Sequence, residues 1–133
     1  ARVLGKMQIV AELESASDEC FSIAELMVKK SRRDLKFDEE AALSLKPYGE
    51  AVKQFFDFIT SNLDRGLDAT EFGKAGEIED QIDSFKKELK KMARKRLNAG
   101  ADARTELLYI DLVRHFEKIG DCLYAVAGEL ERI

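Results

Sequence analysis

Residues 109–130 read YIDLVRHFEKIGDCLYAVAGEL. Around and within them Leu108, Leu112, Phe116, Ile119, Leu123, Val126 and Leu130 recur at three- and four-residue intervals, the signature of a helix with one buried face. Glu117 and Asp121 stand one turn apart and point about 40° from each other, at the edge of that apolar stripe. Carboxylates at such an edge are costly unless a cation, a proton or water compensates them.

The pattern occurs once more near the start of the chain. Moved back 103 positions, Glu117 falls on Glu14, Asp121 on Asp18, Phe116 on Leu13, Tyr124 on Phe21, Val126 on Ile23 and Ala127 on Ala24. The two stretches read as copies of one helical element at opposite ends of the chain. A third pair of the same spacing, Glu79 and Asp83, is set aside, because chance places roughly one Glu-x-x-x-Asp in a chain of this length.

Working outward, the periodicity predicts four helices. The first spans about 5–31, with Ile9, Leu13, Ala16, Cys20, Ile23 and Met27 in one apolar row and Glu14, Asp18, Phe21 and Glu25 in the next. The second follows an N-cap at Asp38 and runs to about Leu63, its aromatic residues Phe55, Phe56 and Phe58 assigned to the core and Pro47 expected to kink or break it. The third starts at Asp68 or Thr70 and ends near Leu97, with Ile78, Ile82, Phe85, Leu89 and Met92 inward and Gly100 as a left-handed C-cap. The fourth begins near Arg104 and runs to the end. Four long amphipathic helices with short links make an all-α, antiparallel up-down four-helix bundle, with the first and last helices adjacent and their acid pairs facing.

The totals agree with this reading. The 133 residues suit a single domain, 1–133, and one Pro, eight Gly and no Trp argue against a loop-rich or all-β fold. A net charge of −4 disfavours a nucleic-acid partner. No apolar run reaches the ~18 residues of a membrane span, and no secretory signal opens the chain. The first residue is Ala rather than Met, which fits a domain cut from a larger protein. Cys20 and Cys122 form no Cys-x-x-Cys and read as small hydrophobes in a reducing compartment. Two basic runs, Lys29 to Arg33 and KKELKKMARKR at 86–96, suit helix C-termini and solvated faces, with anionic lipid as the alternative contact.

The segment EKIGD at 117–121, preceded by YIDLVRHF, resembles the E-R-I-G-D motif of PhoU-like domains. NAGADARTELLYIDL at 98–112 is similar to the version fused to the cytoplasmic end of bacterial sodium/phosphate cotransporters, and 77–100 resembles that family's long third helix. Here Cys122 stands where that family usually has His, Lys118 where Arg is common, and Ser22 and Ala125 where Asn is typical; ESASD at 14–18 is a degraded copy. The resemblance implies a PhoU-like fold and a non-catalytic regulatory or accessory role in phosphate uptake. It implies a place on the cytoplasmic face of the cell membrane, with the membrane portion of the same transporter as partner and a homo-oligomer as a compatible assembly. It also implies a divalent metal or an iron cluster on the acidic motifs, carried first by Glu117 and Asp121 and second by Glu14 and Asp18.

Physical chemistry reaches the acids by its own route. Carboxylates gathered from two helices repel one another unless a cation, arginines or water offset them, and hard oxygen ligands favour iron, manganese, magnesium or calcium, with zinc less suited. The competing reading is an ion-pair network in which Arg114 and Lys118 satisfy the acids, leaving a helical scaffold with no metal. A further alternative is a phosphotransfer module using His115, about 160° around the helix from Glu117. Enzyme chemistry is not expected: the chain shows no nucleophile–base pair, phosphate-cradling Gly loop or cofactor fingerprint.

Overall fold

A computed structural model describes residues 2–133, and these form four helices with no strand: α1 (Arg2–Arg32), α2 (Glu39–Thr60), α3 (Ala69–Asn98) and α4 (Ala103–Arg132). The ends follow local chemistry. Asp68 and Glu71 make a reciprocal capping box at α3, and Arg65 pairs with Glu71. Asp102 caps α4 by accepting from the Thr105 amide and hydroxyl, at 3.0 and 2.7 Å. Asp38 occupies the cap position of α2 but makes no side-chain capping bond. Gly100, at φ 96°, closes α3 in the left-handed conformation expected of it. Gly66, at φ 78°, turns the chain into α3 where a Cβ would stand 2.8 Å from the Leu130 carbonyl oxygen. That clearance lets the Leu67 amide donate to the same carbonyl at 3.1 Å, tying the α2–α3 connection to the end of α4.

Tertiary contacts place α4 at the centre. It packs against α1, α3 and α2, and α2 also packs against α3. Contacts with α1 run in opposite directions, Gly5 beside Glu129 and Glu19 beside His115; those with α3 do likewise, Phe72 beside Tyr124 and Arg96 beside Glu106. Two buried tyrosines lock α2 to α4: Tyr48 donates to the Val113 carbonyl at 2.8 Å and Tyr109 to the Ala41 carbonyl at 2.9 Å. Each satisfies a hydroxyl that burial would otherwise penalise by ~1–3 kcal/mol.

The α1–α4 pairing is as expected, but α1 lies against neither α2 nor α3. The molecule is therefore a triangle of α2, α3 and α4 with α1 laid along the outside of α4. A helix with one neighbour buries one face only. Ile9 and Ala16 are accordingly in the core with Leu13 and Ile23 packed against it, whereas Cys20, Phe21 and Met27 are exposed. On α3, Met92 also lies at the surface, and on α2 Phe56 does, while Phe55 and Ile59 are fully buried. Pro47 does not interrupt α2, which is helical throughout. Pro47 is exposed, and so is Leu43, the residue four before it whose carbonyl it leaves without a donor, so that carbonyl lies on the solvent side of α2.

Candidate functional site

The acid pair of α4 meets a second acid pair, and that pair is on α3. Glu79 and Asp83 are one turn apart on α3, beside the buried Ile82; Glu117 and Asp121 face them from α4. Gly120 sets the spacing between the helices. A Cβ there would come within 3.4 Å of both Glu79 Oε2 and Ile82 Cγ2, so the bare backbone gives α3 its close approach. Lys86, one turn beyond Ile82, bridges the two helices by pairing with Asp83 at 2.8 Å and with Glu117. Lys87 reaches Asp83 at 3.0 Å from a more exposed position.

Titration behaviour follows from this arrangement. Burial pushes Glu79 up to about 8, assisted by its hydrogen-bond contact with Asp121 and by the charges of Asp121, Asp83 and Glu117. Asp83 is held below the usual carboxylate range by Lys86 and then Lys87. Lys86 is held charged by Asp83 and Glu117. The Tyr48 phenol beneath the cluster is pushed up, first by burial and then by the four carboxylates. At neutral pH Glu79 is thus largely protonated, which leaves three carboxylates against the Lys86 and Lys87 ammoniums, a local excess of one negative charge. Glu79 Oε2 is buried and accepts no hydrogen bond.

The expected meeting of Glu14 and Asp18 with Glu117 and Asp121 does not occur. Both are exposed, on the side of α1 away from α4. The acids that α1 turns toward α4 are Glu12, near Cys122, and Glu19, which engages His115 and lies 4.0 Å from Lys118. The ion pairing also differs from expectation. Arg114 pairs with Asp111 at 3.2 Å, and the cation serving Glu117 is Lys86. His115 is mostly buried between α1 and α4 with Glu19 on its Nδ1, a setting unlike an exposed phosphoacceptor. Glu79 and Asp83 were signalled by the same spacing as the outer pairs and by their place beside Ile78 and Ile82. Frequency alone gave no means of telling that pair from coincidence.

The basic run at 86–96 is likewise turned partly inward. Arg96 donates to Glu106 at 2.7 Å in a largely buried pair and lies 4.8 Å above the Tyr109 ring, one Nη2 lacking a partner. It borders a cleft of about 450 Å³ between α2 and α3 whose other charged residues are Asp38, Glu40 and Glu88. Three carboxylates beside an arginine already neutralised by Glu106 make this cleft unsuited to a phosphate ion.

Among the described residues no three His, Cys, Asp or Glu side chains are grouped as a ready-made metal site, and no helix is long and apolar enough to cross a membrane. The acid cluster sets four carboxyl groups of two helices along one interhelical face, Asp121 exposed and Glu79 with a buried oxygen that accepts no hydrogen bond, and Gly120 lets Glu79 and Ile82 approach α4 closely. Compared with known proteins, the chain matches no family model, no curated protein and no solved structure.

Proposed function

We propose that this chain is a non-catalytic helical regulatory domain whose α3–α4 acid cluster takes up a hard divalent cation, with Glu79, Asp83, Glu117 and Asp121 as donors. One observation carries the reading: two Glu-x-x-x-Asp pairs stand opposite one another across Gly120 with one negative charge left over after Lys86, Lys87 and the proton on Glu79 are counted. In the ion-free domain, Lys86 and the proton on Glu79 do part of the neutralising. Binding therefore requires the Lys86 side chain to swing outward and Glu79 to give up its proton, which makes uptake of the ion sensitive to pH. The bound ion would cross-link α3 to α4 where Lys86 now does so more loosely. The PhoU-like pattern of 117–121 supports placing such a domain beside a sodium/phosphate cotransporter, at the cytoplasmic face of the membrane, where cation occupancy would modulate phosphate uptake.

Calorimetric titration with Mn²⁺, Mg²⁺ and Ca²⁺ in buffers of different ionisation enthalpy tests the proposal. Expected are about one ion per chain, proton release at pH 6–7, and loss of binding in Glu117→Ala/Asp121→Ala with retention in Glu14→Ala/Asp18→Ala. Absence of binding at millimolar ion, or binding without proton release, would contradict it.

A further inference from the structure

The outer face of α1 is a largely apolar seam that no other helix of the chain covers. Of the thirteen large apolar residues exposed among the described residues, seven lie on α1, and Phe21, Val3 and Met7 are 67%, 70% and 62% exposed. The exposed positions 3, 7, 10, 14, 17, 21, 24 and 28 follow alternate steps of four and three, the spacing of a coiled-coil seam. Six of these positions are apolar, and the two polar ones, Glu14 and Ser17, sit together at the middle.

The 103-residue repeat shows what such a face is built to meet. Glu14, Ser17 and Phe21 of α1 correspond to Glu117, Gly120 and Tyr124 of α4, the residues that pack on α3. On α4 that row is covered by an antiparallel helix; on α1 it is open.

We infer that the occupant is a second copy of this chain, α1 laid antiparallel against α1 about a two-fold axis midway between Glu14 and Ser17. In that register every layer joins positions that sum to 31: Val3 with Val28, Met7 with Ala24, Val10 with Phe21, and Glu14 with Ser17. The bulkier Met, Phe and Glu each meet a smaller residue, so the layers even out. The two polar residues meet each other as well, a hydroxyl donor opposite a carboxylate acceptor. A polar centre of this kind fixes the register of a helix pair at some cost in stability. A parallel pairing instead stacks Phe21 on Phe21, Ser17 on Ser17 and Glu14 directly on Glu14, leaving gaps and opposing like charges. On the flanks of the antiparallel seam Lys6 comes beside Met27 and Glu25 beside Leu4, so no like charges are opposed there. The area is of the right order: if wholly covered, the seven exposed apolar residues of α1, Leu4 and Met27 on the flanks included, would contribute on the order of 700 Å² per copy, against the ~800 Å² each partner contributes to a standard stable interface. Apolar surface of that extent along one helix is more than an isolated monomer usually leaves in water. The surface is self-complementary, as a two-fold interface requires.

Sedimentation equilibrium of the intact chain from micromolar to several hundred micromolar reads the outcome. The wild type is expected to reach twice its 15.0 kDa mass. Phe21→Glu should weaken association by about 100-fold or more, and Glu14→Leu, which removes the one charge from the seam, should strengthen it by about 10-fold. In a Cys20→Ser background, Val10→Cys/Phe21→Cys should form an interchain disulfide and Val10→Cys alone should not. Circular dichroism should show each variant as helical as the parent. A monomer at every concentration, a dimer indifferent to Phe21→Glu, cross-linking by Val10→Cys alone, or Phe21-dependent binding to phosphatidylserine vesicles in place of self-association would overturn the inference.

Discussion

Helices α1 and α4 carry the same pattern and meet different fates. In α4, Glu117 is paired to Lys86, Gly120 is buried against Ile82, and Tyr124 stacks on Phe72 at 5.6 Å between ring centroids. In α1 the equivalent Glu14, Ser17 and Phe21 all face outward. The difference does not lie in apolar phase, which the two helices share. It lies in the number of neighbours: α4 has three and α1 has one. An acid pair joins an interhelical cluster only when a second helix brings partners to it; the same pair on an open face is a solvated surface.

Core truncation should separate the two helices most sharply. Leu123→Ala on α4 removes a fully buried side chain and is expected to cost about 3 kcal/mol, whereas Phe21→Ala on α1 should change the stability of the isolated monomer by less than about 0.5 kcal/mol in urea unfolding at low protein concentration. Next comes helix spacing. Gly120→Val must push against Ile82 and Glu79 and should cost about 2 kcal/mol, while Ser17→Val, with no helix opposite in the monomer, should be nearly neutral.

A smaller effect depends on pH. Glu79 titrates at about 8 in the folded chain, above the ordinary ~4.3 of an unfolded glutamate. Between those values the folded state holds the extra proton, so this group's contribution falls as pH rises and levels off above about 8. Glu79→Gln, which cannot ionise, should therefore gain on the wild type between pH 5 and pH 9 by roughly a few degrees in Tm. No such gain is expected of Glu14→Gln. The mildest contrast is chemical. Cys20 is exposed, whereas Cys122 is partly covered and its thiol is pushed up to about 11 by burial and then by Glu12. Iodoacetamide at pH 8 should therefore label Cys20 first, as read by peptide mass mapping.

Much of the fold was legible because it depends on local signals. Asp68 with Glu71, Gly100 and the unbroken stripe from Leu108 to Leu130 fix their helices through caps and periodicity that any tertiary setting leaves intact. Which helix opposes which acid pair is not local. Glu14 and Asp18 matched Glu117 and Asp121 in frame, but a repeated frame records what a face could pack against, not what arrives there. Glu79 and Asp83 lacked that match and yet form the other half of the cluster, because α3 presses on α4 at Gly120. Lys86 was read as part of a solvated basic stripe, and it became the bridge between helices for the same reason. Half of the candidate site was therefore visible in one stretch of sequence, and the other half required knowing α4's neighbour.

The most direct measurement is an Mn²⁺ titration followed by paramagnetic broadening of backbone amide signals. Broadening is expected to centre on residues 79–86 and 117–121, with the amides of 14–18 unaffected and the effect abolished by Glu117→Ala/Asp121→Ala. Broadening centred on Glu14 and Asp18, or none at millimolar Mn²⁺, would contradict this expectation.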